Sequence, residues 1–255
     1  MAANGSRSSD ELWLQFTRNY PKRFVPFGGQ GGLAGFYRTY GQAFWTVQAS
    51  EMASYLLRLE AELQSGGVKG IGELYVNKPS TGEHYPADSA IMKRLWALSA
   101  TYQIPLSVHM DDINASGQDS VTEMESLLAS DRKGIWIWAH SGHTNPSVLR
   151  PLLQKHPNLY IELSARLTIY GSFYPGTDPF PVEENGILKP AWKELLQEFP
   201  DRFVIGTDVP HASIDEYSRA ILLWRKVLHQ LPLETEQLIA FKNAERLLKI
   251  SILQQ

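Results

Sequence analysis

The stretch Ile135-Trp-Ile-Trp-Ala-His140 is an unbroken apolar run, rich in β-branched and aromatic residues, closed by an ionisable side chain. A strand with no polar alternation is one covered on both faces, the usual condition of a parallel sheet. Two further segments share its build: Ile104-Pro-Leu-Ser-Val-His109 ends in a second histidine and Phe203-Val-Ile-Gly-Thr-Asp208 in an aspartate. On this pattern the candidate strands are Arg23–Phe27, Gly70–Val76, Pro105–His109, Gly134–His140, Leu159–Leu163 and Arg202–Thr207. Amphipathic stretches with apolar residues every three or four positions lie at about 10–20, 50–64, 88–102, 190–198, 214–230 and 234–249. Strands alternating with helices predict an α/β fold, a (β/α) barrel of about six parallel strands.

Helix starts carry their own signals. Ser120-Val-Thr-Glu123 and Ser213-Ile-Asp-Glu216 have the form of capping boxes, and Asn145-Pro146 sets a cap before a proline at the first helical position. Residues 1–9 are small and polar and are expected to be a disordered lead-in, leaving 10–255 as one domain.

Composition narrows the function. With 24 Lys and Arg against 27 Asp and Glu, and no clustering of the basic ones, there is no stripe to track a phosphate backbone, so nucleic acid is not expected as a partner. The absence of cysteine removes thiolate metal sites, iron–sulfur clusters and Cys nucleophiles. No run approaches the roughly 20 apolar residues of a membrane helix, so no membrane is expected either. A cytoplasmic location is the expectation.

The ionisable residues fall where an α/β protein holds its ligands. His109, His140 and Asp208 stand at strand carboxyl ends, and Glu73 lies inside the apolar segment Gly70-Ile-Gly-Glu-Leu-Tyr-Val76. A lone strand-end histidine is more often a hydrogen-bonded structural residue than a ligand, and Asp208 alone reads as a turn cap. Four such residues on four strands read differently, because imidazole and carboxylate donors together suit a divalent transition metal. A carboxylate such as Glu73 in a buried strand is costly unless a cation or donor is near.

Gly29-Gln-Gly31-Gly-Leu-Ala34 has the form of a dinucleotide fingerprint, but Phe36-Tyr-Arg-Thr-Tyr40 follows and the next strand begins only near Gly70. The glycines are expected to make a flexible loop instead. No G-x-S-x-G elbow supports Ser141 as a nucleophile. His84, His156 and His229 lie away from strand ends and are expected to be structural.

The segments Pro105-Leu-Ser-Val-His109, Ala139-His140-Ser-Gly-His143, Gly206-Thr-Asp208-Val-Pro210 and Asn243-Ala-Glu-Arg-Leu-Leu248 resemble the amidohydrolase superfamily, in its amidohydrolase-2 branch with the aminocarboxymuconate-semialdehyde decarboxylase-like enzymes. The resemblance runs from about Pro21 to Leu248 and implies a metal-dependent TIM-type (β/α) barrel. It matches His109 to the fifth-strand ligand, His140 to the sixth-strand histidine, which is both ligand and catalytic, and Asp208 to the eighth-strand ligand and proton acceptor. Glu73 is similar to the fourth-strand carboxylate of TatD-like binuclear members. The His-x-His pair of the family's first strand is missing, so the barrel is expected to be incomplete, lacking strands one and two.

The implied function is a metal-dependent hydrolase acting on a small organic amide, lactone or ester through a metal-activated water. The alternatives are non-oxidative decarboxylation and a catalytically inactive ligand-binding remnant. Zinc is the expected cofactor, with manganese, iron or cobalt accepted by the same donors. His143, Arg166, His211 and Tyr170 lie near strand ends as candidate substrate contacts. The expected partners are a small-molecule substrate and, through the open sheet edges, a second copy in a homo-oligomer.

Overall fold

The computed structural model describes residues 2–4, 10–21, 23–34, 50–78, 83–84, 86–111, 120–165, 181–183, 185–208 and 214–251. The chain falls into two compact units, residues 1–137 with 247–255, and residues 138–246.

In the first unit β1 (Ala2–Asn4), β2 (Val25–Gly28), β3 (Gly70–Lys78) and β5 (Pro105–Met110) pair in parallel in that order, while β4 (Glu83–His84) folds back antiparallel on the end of β3. Ala2–Asn4 therefore departs from the disordered lead-in expected over 1–9: it pairs with Val25–Phe27. The helices are α1 (Asp10–Asn19), α2 (Ser50–Gln64), α3 (Ala90–Tyr102) and α4 (Val121–Ser130). β5 is buried along its whole length, Leu106, Val108 and Met110 at 0–1% exposure. The buried face of α3 carries Ile91, Met92, Leu95 and Trp96, at the spacing that sequence periodicity gives. Each such side chain contributes about 1.5–3 kcal/mol by leaving water.

Two small devices tie this core. The Ser99 hydroxyl donates to the Ile104 carbonyl at 2.6 Å and accepts from the Ile135 N–H at 3.0 Å. Gly134 leaves room for the Trp96 indole, whose ring stands 6.2 Å from that of Trp136.

The described part of the glycine-rich stretch is not the flexible loop expected: residues 30–34 are helical directly after β2. Its glycines serve close packing. The Tyr55 hydroxyl donates to the Gly29 carbonyl at 2.8 Å, and a Cβ at Gly32 would meet the Tyr55 ring at 2.5 Å. At α4 the helix begins where expected, but Ser120 makes no side-chain cap. Glu123 turns outward from the capping box to accept from the Ala87 N–H at 2.9 Å. Ser213 lies outside the described residues.

β6 (Ile135–Trp138) carries the chain into the second unit, where β7 (Leu159–Glu162) and β8 (Phe203–Val204) pair in parallel. Its helices are α5 (Pro146–Lys155), α6 (Pro190–Glu198), α7 (Ile214–Leu228), α8 (Leu233–Gln237), a π-helical turn (Leu238–Lys242) and α9 (Asn243–Leu248). The predicted cap of α5 is present, Asn145 accepting from the Ser147 N–H at 3.0 Å.

The Asn-Ala-Glu-Arg segment has a structural task. Asn243, fully buried, donates to the carbonyls of Pro200 and Phe203 at 2.9 and 2.8 Å, and Arg246 donates to the Asp201 carbonyl. Buried Arg202 donates to the carbonyls of His156 and Leu159, with its guanidinium 5.1 Å from the Tyr160 ring centre. Burial holds that guanidinium below its ordinary pKa, Tyr160 and Asp201 opposing the shift. Among the described residues no helix is long and apolar enough to cross a membrane.

Asn243→Ala strands two carbonyls that the side chain now satisfies. It is expected to reduce stability by about 1–3 kcal/mol, seen as a lower urea midpoint at unchanged slope.

Candidate metal centre

In the first unit, the β3–β5 register slips between Ile71/Leu106 and Leu74/Val108, so the strand carries a bulge around Gly72 and Glu73. The effect on side-chain direction is visible in burial. Ile71, Leu74 and Val76 are all in the core, an odd residue followed by two even ones, so alternation has shifted by one position. Glu73 is thereby turned away from the core face. Gly72 has φ +125, and a Cβ there would overlap the Ser107 carbonyl oxygen, so glycine is required on both counts.

On β5, Ser107 and His109 share the face opposite Leu106, Val108 and Met110. His109, 8% exposed, brings Nδ1 to 3.1 Å from Glu73 Oε1, and its ring lies 4.8 Å from that of Tyr75. Ligands of one tetrahedral zinc stand roughly 3.3 Å from each other, given metal–ligand bonds of about 2.0–2.1 Å. The pair is spaced equally well for a hydrogen bond and for joint ligation.

In the second unit, β6 ends at Trp138, two residues short of the strand expected to reach His140. His140, Ser141, Gly142 and His143 have φ of 56, 49, 59 and 52°, a left-handed turn. Such backbone costs on the order of 1 kcal/mol per non-glycine residue and persists where its surroundings over-determine it. Gly142 again has no alternative, because a Cβ would fall inside the Trp138 indole. The turn buries His140 to 4% exposure. Its Nδ1 is 2.9 Å from Ser164 Oγ and 3.3 Å from the Ser164 carbonyl, and its Nε2 is 3.9 Å from Asp208 Oδ2. Asp208 itself is exposed, with φ 43°. His143 is half-buried, its ring 5.4 Å from that of His140. Arg166, Tyr170 and His211 lie outside the described residues.

One residue that the strand-end pattern did not single out is Glu162, half-buried on β7. Its carboxylate accepts from the His140 N–H at 3.2 Å, the Ser164 N–H at 2.7 Å and the Ser164 hydroxyl at 2.7 Å. The signal was present: a carboxylate in the otherwise apolar Leu159-Tyr-Ile-Glu-Leu163 is the same feature that marks Glu73.

The donors fit a divalent ion in chemistry. In the first unit Glu73 and buried His109 each offer a ligand atom, and in the second buried His140 has the ligand's usual arrangement, one ring nitrogen held by oxygen acceptors and the other presented.

A family model described as amidohydrolase matches residues 32–250. This chain belongs to the amidohydrolase family. No curated protein matches it. Among solved structures, this amidohydrolase-family chain is similar to an uncharacterised TIM-barrel protein from Bordetella bronchiseptica at 17% identity and TM-score 0.58, over 94% of this chain and 72% of that one. It is similar to a probable 2-pyrone-4,6-dicarboxylic acid hydrolase from Acinetobacter baumannii at 14% identity and TM-score 0.57, over 98% and 83%. It is also similar to a dihydroxybenzoic acid decarboxylase from a Polaromonas species, with bound manganese and an inhibitor, at 15% identity and TM-score 0.57, over 94% and 73%. The fold is an incomplete TIM-type (β/α) barrel.

Gly72→Ala is expected to destabilise the protein by about 2 kcal/mol or more, since strained φ and overlap with Ser107 act together. Thermal unfolding measures it; a midpoint unchanged within a degree would mean that the bulge is not required.

Proposed function

We propose that the chain is a metal-dependent hydrolase of a small organic amide, lactone or ester, in which Glu73, His109 and His140 hold one divalent ion and Asp208 accepts the proton. The supporting observation is the separation of His140 Nε2 and Asp208 Oδ2, 3.9 Å. That is too long for a hydrogen bond and within the span of two groups addressing one guest atom between them. Zinc suits the two-imidazole, one-carboxylate set, and manganese, iron and cobalt are alternatives.

When bound, the ion supplies Lewis acidity, polarising a substrate carbonyl and lowering the pKa of a water toward 7. The chain's own groups do the rest. Asp208, exposed, would take the proton from the attacking water and return it to the leaving group. His140 is held rigidly by the left-handed turn and by Ser164, so its Nε2 keeps one direction through the cycle. His143, its ring 5.4 Å from that of His140, is proposed to contact a substrate carbonyl or carboxylate. Arg166, Tyr170 and His211 are proposed as further substrate contacts from their positions after strands.

A second reading, non-oxidative decarboxylation, is favoured by similarity to dihydroxybenzoate decarboxylases at TM-scores of 0.57–0.58, equal to that with the hydrolase. Carbon dioxide release against acid release, measured on a panel of lactones, esters, amides and hydroxybenzoates, separates the two.

The purified chain supplemented with zinc is expected to retain about one equivalent by elemental analysis. His109→Ala is expected to lose metal and turnover together. Asp208→Asn is expected to keep the metal while kcat falls roughly 10²–10⁴-fold. Equal metal loss in both variants would make Asp208 only a ligand, and no retained metal with no turnover would overturn the enzyme reading.

A further inference from the structure

We propose that Glu162 is a positioning residue which, through the hydroxyl of Ser164, fixes the tautomer and direction of the His140 imidazole. The inference rests on the proposed role of His140 for its metal arm only; its tautomer arm stands on the hydrogen bonds of the second unit.

The direction of each proton follows from donor and acceptor chemistry. A carboxylate can only accept, and Glu162 Oε2 lies 2.7 Å from Ser164 Oγ, so the single hydroxyl proton of Ser164 points at Glu162. Ser164 Oγ then turns a lone pair to His140 Nδ1 at 2.9 Å. The other partner of Nδ1, the Ser164 carbonyl at 3.3 Å, is an acceptor as well. Nδ1 therefore carries a proton, and in the neutral ring Nε2, on the side of Asp208, carries the lone pair. The order is carboxylate, hydroxyl, imidazole, guest: a carboxylate–histidine support with a serine inserted.

The surroundings of Glu162 indicate a site shaped around this carboxylate rather than one that merely tolerates it. Glu162 also accepts the His140 backbone N–H at 3.2 Å, holding the first residue of the left-handed turn by its main chain as well as its ring. The segment after β8 gives way to it: a Cβ at Gly206 would fall inside the Glu162 carboxylate, and Gly206 is two residues before Asp208. Glu162 thus stands between the segments that carry His140 and Asp208, touching both.

The test uses the metal-free full chain labelled with 15N, with His140 resonances assigned by their loss in His140→Asn. The wild type is expected to show a protonated Nδ1 and an unprotonated Nε2. Glu162→Gln keeps the shape but lets an amide N–H donate to Ser164, freeing the hydroxyl to donate to Nδ1. The Nε2–H tautomer should then appear, and zinc affinity by calorimetry should weaken about 10–100-fold. Ser164→Ala should weaken zinc similarly and Ser164→Thr should restore it; these two carry the test if Glu162→Gln does not fold by circular dichroism. An Nε2–H wild type, or a tautomer and zinc affinity unchanged within twofold in both Glu162→Gln and Ser164→Ala, overturns the proposal. If the wild type binds no zinc while the tautomer shifts as expected, the metal reading fails and the positioning role stands.

Discussion

A parallel strand buried on both faces alternates its side chains strictly, so an ionisable group can leave that alternation only where the backbone leaves the β conformation. The rest of this structure is arranged around that constraint. Glu73 follows Gly72, with φ +125; His140 and Asp208 have φ of 56 and 43°; and Ser164 precedes Ala165, with φ 53°. Glu73, His140, Asp208 and Ser164 thus each sit on or beside a residue with left-handed or glycine-only backbone, whereas His109 keeps the regular alternation of β5. The strain is local, and the strands and helices of each unit supply the packing that sustains it.

Most of the fold is legible in the sequence because it follows from apolar patterning. All six expected strands form, and α6 occupies the residues its periodicity marks. Proline and asparagine at the start of α5 act as their chemistry predicts. The departures share a cause, which is competition from partners distant in the chain. Glu123 has the right spacing to close a capping box on Ser120, yet the Ala87 N–H takes its carboxylate. The glycines after β2 look like a loop, yet a helical segment forms there with Tyr55 packed where side chains would be.

The candidate site was legible to a similar degree and for the same reason. His109, His140 and Asp208 show in the sequence because an ionisable residue ending an apolar run is conspicuous, although β6 and β8 stop at Trp138 and Val204, short of the last two. The Gly72 bulge does not show, since nothing local distinguishes it from a regular strand until the register with β5 is known. Glu162 is partly visible, as a carboxylate in an apolar strand, but its use of Ser164 as an intermediary depends on how the turn after β7 closes. The Asn243–Arg246 segment, read first as a family signature, proves to be a carbonyl clamp on the residues before and within β8.

Gly72, Gly142 and Gly206 each occupy a place where the first carbon of any side chain would collide with a site residue or the frame that holds one. None of the three takes part in proton or ion chemistry. A lineage that drifted at one of them would keep every histidine and carboxylate in its sequence while losing the arrangement that gives them a use. For this chain's descendants, the smallest residues are therefore the more sensitive record of selection for a working centre.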